Sequence, residues 1–203
     1  MIGAGTVGGG VYEIIMNRLR GGSDANTTTP IITKICVRDA NKQRDFSLDS
    51  TKTQVVTDVT SILNDDDIDL VVEVAGGVTF AKDAVYESLK SGKSVVTANK
   101  ALIAENLDEL ITLVAEANNA NGKKSVKFGY EASVCGGIPI IHTLQSGYNG
   151  DIINEVQGIC NGTTNYMLES LRLFVLPFEF GGDLATHLAS ILRHLIAFTN
   201  YMC

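Results

Sequence analysis

The sequence has 203 residues, 45% of them hydrophobic and 19% charged, with a formal net charge of -7. These proportions exclude a disordered chain, and an acidic balance with no basic stripe excludes nonspecific nucleic-acid or anionic-membrane binding. Cys36, Cys135, Cys160 and Cys203 are far apart and form no C-x-x-C pair, so neither a disulfide framework nor a zinc site is expected, and a reducing compartment fits.

The first element is Gly3-Ala4-Gly5-Thr6-Val7-Gly8, a G-x-G-x-x-G pattern opening a helix that carries Val7, Val11, Ile14 and Ile15 at helical spacing. The first glycine of such a turn permits the tight bend from strand to helix. The second lets the backbone approach a pyrophosphate, and the third lets helix and strand pack closely. The N–H groups at the helix start then face the phosphates. Alone the pattern is weak, because Gly8-Gly9-Gly10 also suits an ordinary flexible loop. Only Met1 and Ile2 precede it, where a first strand takes about five residues, so that strand is expected to be a stub or to begin upstream.

Gly21 to Asn26, a run of threonines and Pro30 predict a surface loop. Ile31 to Val37 alternates as a strand does and stops at Arg38-Asp39. At the corresponding strand end of a dinucleotide fold an acid takes the ribose 2′-hydroxyl and an arginine suits a 2′-phosphate, so NAD and NADP both stay open. A merely solvated strand end is an equally good reading. Gln54 to Thr57 predicts a short strand, and Asp58 a cap for a brief helix through Leu63. Asn64 to Asp67 is an acidic turn without the oxygen spacing of a calcium loop.

Asp69 to Ala75 is nearly continuous apolar sequence, as in a strand buried on both faces, and ends in Gly76-Gly77. Thr79 starts a helix to about Ser91 that closes at Gly92. Ser94 to Thr97 predicts another buried strand, followed by Ala98-Asn99-Lys100. A helix is expected from Asn106, with Asn106 and Glu109 at capping-box spacing and Leu107, Leu110, Ile111 and Val114 as its apolar face. Ser125 to Phe128 closes the series as a strand. This alternation predicts an α/β doubly wound parallel sheet, whose ligands bind beyond the carboxyl ends of the strands. Gly3 to Gly8, Arg38-Asp39, Ala75 to Gly77 and Thr97 to Lys100 would share that rim.

Past Phe128 the sequence becomes rich in small residues, and Pro139 suits the first turn of a helix over Ile138 to Gln145. Asp151 to Cys160 predicts a long strand, and Asn161-Gly162-Thr163-Thr164-Asn165 a turn into a helix. Thr163 and Thr164 suit either N-caps or hydrogen bonds to a small polar substrate. Near the end, Asp183 can cap a helix with Leu184, Leu188, Ile191, Leu192, Leu195 and Phe198 on one face. His187 and His194 lie opposite as solvated residues rather than metal ligands. A covering or interface helix is the plain reading of this stretch, and a frameshifted one the other.

Five blocks together resemble homoserine dehydrogenase: G-A-G-T-V-G-G-G-V, V-V-E-V-A-G-G, S-V-V-T-A-N-K-A-L-I-A, Y-E-A-S-V-C-G-G-I-P-I-I and G-I-C-N-G-T-T-N-Y-M-L. They stand in the family's order between about residues 2 and 168. The resemblance implies interconversion of L-homoserine and L-aspartate 4-semialdehyde with NAD or NADP, in biosynthesis of threonine and methionine. It implies a Rossmann nucleotide-binding domain over 1–128, the start of an α+β substrate and dimerisation domain over 129–170, and a divergent tail over 171–203. Gly3, Gly5, Thr6, Val7, Gly8, Arg38, Gly76, Gly77, Thr97 and Lys100 would line the cofactor site. Lys100 would be the active-site lysine of the A-N-K block. Glu131, Val134, Gly136 and Ile138 would hold a monovalent metal ion, commonly sodium, mainly through backbone oxygens, and Thr163 would face the substrate.

A lysine in a partly dehydrated cleft can serve as acid or base, or hold an oxygen as a cation. Without the family match, a snorkelling surface lysine is the better reading of Lys100. The family's second catalytic lysine is missing: from Leu171 the sequence departs, and the last lysine is Lys127. The chain therefore reads as a fragment of such an enzyme, or alternatively as a catalytically incomplete NAD(P)-binding module. No nucleic-acid or membrane partner is expected, and a homodimer is expected if the full second domain is present. No basic-then-apolar leader opens the chain and no apolar run would span a bilayer, so the expected place is the cytoplasm, a plastid being the other.

Overall fold

A computed structural model of the protein describes residues 1–22, 28–120, 125–148, 150–155 and 157. Runs of β-branched residues make parallel strands β1 (Lys34–Cys36), β2 (Gln54–Val56), β3 (Leu70–Glu73) and β4 (Ser94–Thr97), with a short β5 (Phe128–Gly129). β1 pairs with β2, Ile35 opposite Val55; β3 pairs with β4, Val71 opposite Val95; β4 pairs with β5, Val95 opposite Phe128.

Ile2 joins the two ladders. It forms parallel bridges to Cys36 on one side and Glu73 on the other. Its N–H donates to the Val72 carbonyl at 2.7 Å and its carbonyl accepts from Val74 at 2.8 Å, while the Gly3 N–H donates to Cys36 at 2.9 Å. The spatial order is therefore β2, β1, Met1–Ile2, β3, β4, β5, with every pairing parallel. This is the Rossmann order, with its switch point between Ile2 and β3. Ile2 thus supplies the backbone pairing between the two ladders at the centre of the sheet.

Alternate residues feed two cores, as the pleat requires. Ile2, Cys36, Val71 and Val95 face one core, which is completed by α3 (Thr79–Lys90) and α4 (Lys100–Ala120). Met1 and Ile35, with Val37, Val72 and Val74, face the other, covered by α1 (Thr6–Gly21). The buried stripe of α1 is Gly8, Gly9, Tyr12 and Met16. The apolar face expected there is only half right: Val11 and Ile15 pack on the core, but Val7 and Ile14 are 56% and 60% exposed. At 3.6 residues per turn a stripe through 8, 12 and 16 turns both of them outward.

Other expectations shift in detail. Asp58 stands one residue ahead of the cap position of α2 (Thr60–Leu63), which Val59 holds, and its carboxylate accepts from the Thr60 N–H at 2.9 Å and from the Thr60 hydroxyl. β3 is less uniformly buried than its apolar run suggests, since Leu70 is 38% exposed. The helix expected from Asn106 begins at Lys100 instead. Asn106 lies inside it, its amide donating to the Leu102 carbonyl at 3.1 Å and accepting from Lys82 Nζ at 2.6 Å. The true cap is Asn99, whose side-chain oxygen accepts from the Leu102 N–H at 3.2 Å. The first turns between them, Ala101 to Glu105, are good helix formers, and Leu102 and Ile103 are buried.

The chain divides after Ser133, where a 3-10 turn over Glu131–Ser133 ends the first unit. The second begins with a turn in which Cys135 has φ 51° and Gly136 φ 60°. A single α turn, α5 (Ile140–His142), follows Pro139 and runs on into a π turn, Thr143–Gly147. This is the helix expected from Ile138, started two residues later. The strand expected over Asp151 to Cys160 is not formed across residues 151–155, where Ile152 is 87% exposed. Asn161 to Asn165, Thr163 among them, and the helix expected after Asp183 lie outside the described residues. Among the described residues no helix is long and apolar enough to cross a membrane.

Candidate active site at the carboxyl ends of the strands

The glycine turn has the stereochemistry its spacing demands. Gly3 has φ 100°, and a Cβ there would lie 2.6 Å from the Val74 carbonyl oxygen. A Cβ on Gly8 would lie 2.6 Å from the Gly3 carbonyl oxygen, so this glycine lets α1 press against the turn. Gly5 differs: it caps α1 and faces open space, with nothing within 4 Å of where a Cβ would stand. The helical ladder starts with the Gly9 N–H donating to the Gly5 carbonyl at 2.8 Å, leaving the N–H groups of Thr6, Val7 and Gly8 ahead of it. Gly5, Thr6 and Val7 are exposed, and the first turn carries no acidic residue. A pyrophosphate fits such a place in shape and in sign.

Next along the rim, β1 delivers Arg38 into solvent. The loop after it is self-contained: the Asp39 carboxylate accepts from the Asn41 N–H at 2.8 Å, and the Arg44 guanidinium donates to the carbonyls of Asp39, Ala40 and Lys42. Under the turn lies Cys36, whose thiol is pushed up by burial and stays protonated.

The centre of the rim is built on a residue that sequence reading passed over. Glu73, the last residue of β3, is fully buried and stands in register opposite Thr97, the last residue of β4. Its carboxylate accepts from the Thr97 hydroxyl at 2.6 Å and from the Ala75 N–H at 2.9 Å. The Thr97 hydroxyl oxygen in turn accepts from the Asn99 N–H at 3.0 Å. Asn99 then reaches across, its amide donating to the Gly77 carbonyl at 2.6 Å while its oxygen caps α4. One hydrogen-bonded chain thus ties the turn through Gly76 and Gly77 to the first turn of α4. The signal that could have found Glu73 was a lone carboxylate at the end of an otherwise apolar strand.

Lys100 follows directly as the first residue of α4 and is exposed. Helix α4 is held against α3 by Lys82, whose ammonium meets Asn106 at 2.6 Å and Glu109 at 3.3 Å and lies 5.1 Å from the Tyr86 ring centre. Of the residues expected to hold a metal ion, Glu131 lies on the 3-10 turn of the first unit. Val134, Gly136 and Ile138 belong to the second, Ile138 being 63% exposed. Among the described residues no group of three or more His, Cys, Asp or Glu side chains is placed to hold a metal. A site made of backbone oxygens needs no such group.

Residues 3–126 match the family model described as homoserine dehydrogenase, NAD binding domain, and residues 139–180 match the model described as homoserine dehydrogenase. Homoserine dehydrogenase of Bacillus subtilis is 40% identical over 179 residues, which is 88% of this chain and 39% of that protein. The crystal structure of homoserine dehydrogenase from Thiobacillus denitrificans superposes with a TM-score of 0.68 at 30% identity, over 84% of this chain and 37% of the other. The Staphylococcus aureus enzyme gives a TM-score of 0.58 at 37% identity, over 66% of this chain and 32% of the other. The chain thus spans less than two-fifths of the length of these relatives.

Proposed function

The chain belongs to the homoserine dehydrogenase family, and from that premise we propose that it binds NAD or NADP along the strand-end rim and acts in the interconversion of L-homoserine and L-aspartate 4-semialdehyde. That reaction belongs to amino-acid biosynthesis, on the way to threonine and methionine. The observation that carries the reading is the Gly3–Gly8 turn, where open space over Gly5 adjoins N–H groups ahead of the helical ladder, at the switch point of a parallel sheet. Gly76 and Gly77 would continue the cofactor wall, with Thr97 fully buried behind them, and Arg38 would meet the adenosine ribose or its 2′-phosphate. We assign residues 1–128 to nucleotide binding, 129–170 to the start of the substrate and dimerisation domain, and 171–203 to a divergent tail.

Hydride transfer to and from the alcohol carbon is the chemistry that a nicotinamide would supply when bound. The protein orients the substrate and handles the proton on its oxygen. Lys100 takes that role in our reading: it sits at the positive end of α4, a place that disfavours a purely structural cation. Lys100 is exposed, so in this reading bound cofactor and substrate would have to shield it from water. By the family resemblance Thr163, outside the described residues, is the residue proposed for the substrate, and Glu131, Val134, Gly136 and Ile138 are those proposed for a sodium ion.

A second reading has its own observation: within these 203 residues no lysine follows Lys127 that could serve as a second catalytic lysine. The chain would then bind NAD(P)H without turnover. Homoserine-dependent cofactor reduction by the purified chain, with Lys100→Ala as control, separates the two. Turnover above the control supports the first reading and excludes the second; NAD(P)H binding with no detectable homoserine oxidation supports the second.

A further inference from the structure

We infer that Glu73 is the positioning residue of the cofactor rim, a buried carboxylate that sets the Ala75–Gly77 turn and the Asn99–Lys100 segment in one geometry through Thr97 and Asn99. The inference rests on the assignment of this rim to NAD(P). Nothing in the fold requires an acid at this position. A fully buried carboxylate is expensive unless its oxygens are hydrogen-bonded, and an apolar residue would complete β3 at lower cost. What the carboxylate adds is two acceptors, one for each rim segment.

Its Oε1 takes the Ala75 N–H at 2.9 Å, immediately before Gly76 (φ 73°) and Gly77 (φ 76°). Its Oε2 takes the Thr97 hydroxyl at 2.6 Å, which fixes the direction of that hydroxyl. The hydroxyl oxygen is thereby left to accept from the Asn99 N–H at 3.0 Å. Asn99 closes the loop on the Gly77 carbonyl at 2.6 Å and starts α4, so Lys100 inherits its place from the same carboxylate.

The donor directions make the role testable with near-isosteric changes. Glu73→Gln keeps the volume but replaces one acceptor with an NH2 group. Either the Ala75 N–H then faces a donor, or the Thr97 hydroxyl must reverse and lose its acceptor. Thr97→Val removes the hydroxyl at the same shape, and Thr97→Ser keeps it.

The experiment titrates the chain with NADPH and NADH by fluorescence and follows amide hydrogen exchange at Ala75 and Asn99 without cofactor. The expected result is about tenfold weaker binding for Glu73→Gln and for Thr97→Val, the worth of one hydrogen bond to a charged group. Thr97→Ser should bind as the parent does. The double variant Glu73→Gln/Thr97→Val should be little worse than either single change, because one chain is being cut twice. Exchange should rise at Ala75 and Asn99 while the β1–β2 ladder keeps its protection. If Glu73→Gln does not fold, the Thr97 pair carries the test. A parent chain that binds cofactor while Thr97→Val or a folded Glu73→Gln binds equally well overturns the inference alone. A parent chain that binds neither cofactor overturns the NAD(P) assignment, and the inference with it.

Discussion

At the scale of single residues, the three glycines of the first turn are interchangeable in composition and different in consequence. A methyl on Gly8 would meet the Gly3 carbonyl oxygen at 2.6 Å, and backbone in a tight turn has nowhere to go. Gly8→Ala is therefore expected to cost about 1–3 kcal/mol of stability, the usual range for overpacking, and to abolish cofactor binding. A methyl on Gly5 meets nothing within 4 Å. Gly5→Ala should keep stability within about 1 kcal/mol yet weaken NAD(P)H binding, because the methyl enters the space a phosphate must approach. Thermal unfolding and cofactor titration on the two variants check this, and equal stability losses would contradict it. The glycines were legible in the sequence because their spacing marks the turn, with the positive φ of Gly3 and the approach of Gly8 to the Gly3 carbonyl lying in the local backbone, although Gly3 also meets the distant Val74 carbonyl. Glu73 was not, because its partner Thr97 is set by the pairing of β3 with β4, and strand register is invisible in a single strand.

Among the elements, the same distinction between local and distant partners explains which boundaries could be read. Asp58 accepts from the first N–H of α2 at Thr60, two residues on, and the sequence announces it. Asn106 has a plausible capping-box partner in Glu109 but bonds instead to Lys82, twenty-four residues away on α3. The start of α4 was accordingly expected six residues late, and Lys100 was expected on a strand-end loop rather than in a helix. Asn99 both caps α4 and holds the Gly77 carbonyl. Asn99→Ala should lower the stability of the chain by about 0.5–2 kcal/mol, measured by urea unfolding. It should weaken cofactor binding by more than Asn106→Ala does, since Asn106 bonds away from the rim. A larger binding loss for Asn106→Ala would show that the link between the loops is not what matters.

For the molecule as a whole, the sheet is one continuous structure only because Ile2 bonds to both halves. The alternation of strands and helices was enough to read the doubly wound class, and Arg38, Gly76, Gly77, Thr97 and Lys100 do fall along one rim. What the alternation could not show is that Ile2 pairs with β1 and β3 at once, because that depends on the backbone bonds those strands offer.

Acid should test the cohesion of this assembly. Hydrogen bonding from Lys34, at 2.6 Å, holds the Asp65 carboxyl below its ordinary value of 3.8, and hydrogen bonds from Thr60 and Thr51 do the same for Asp58 and Asp49. Groups whose value is lowered by folding stabilise the native state above the unfolded value of about 4. That contribution is lost as pH falls further, through their folded values. Unfolding free energy should thus change little from these groups above about pH 5 and fall below about pH 4, with the Asp65→Asn variant showing a shallower fall. The most direct test of the central claim is a fluorescence titration of the purified chain with NADPH and NADH. Saturable one-to-one binding of at least one of them, lost in Gly8→Ala, is the predicted result; a folded chain that binds neither would contradict the account.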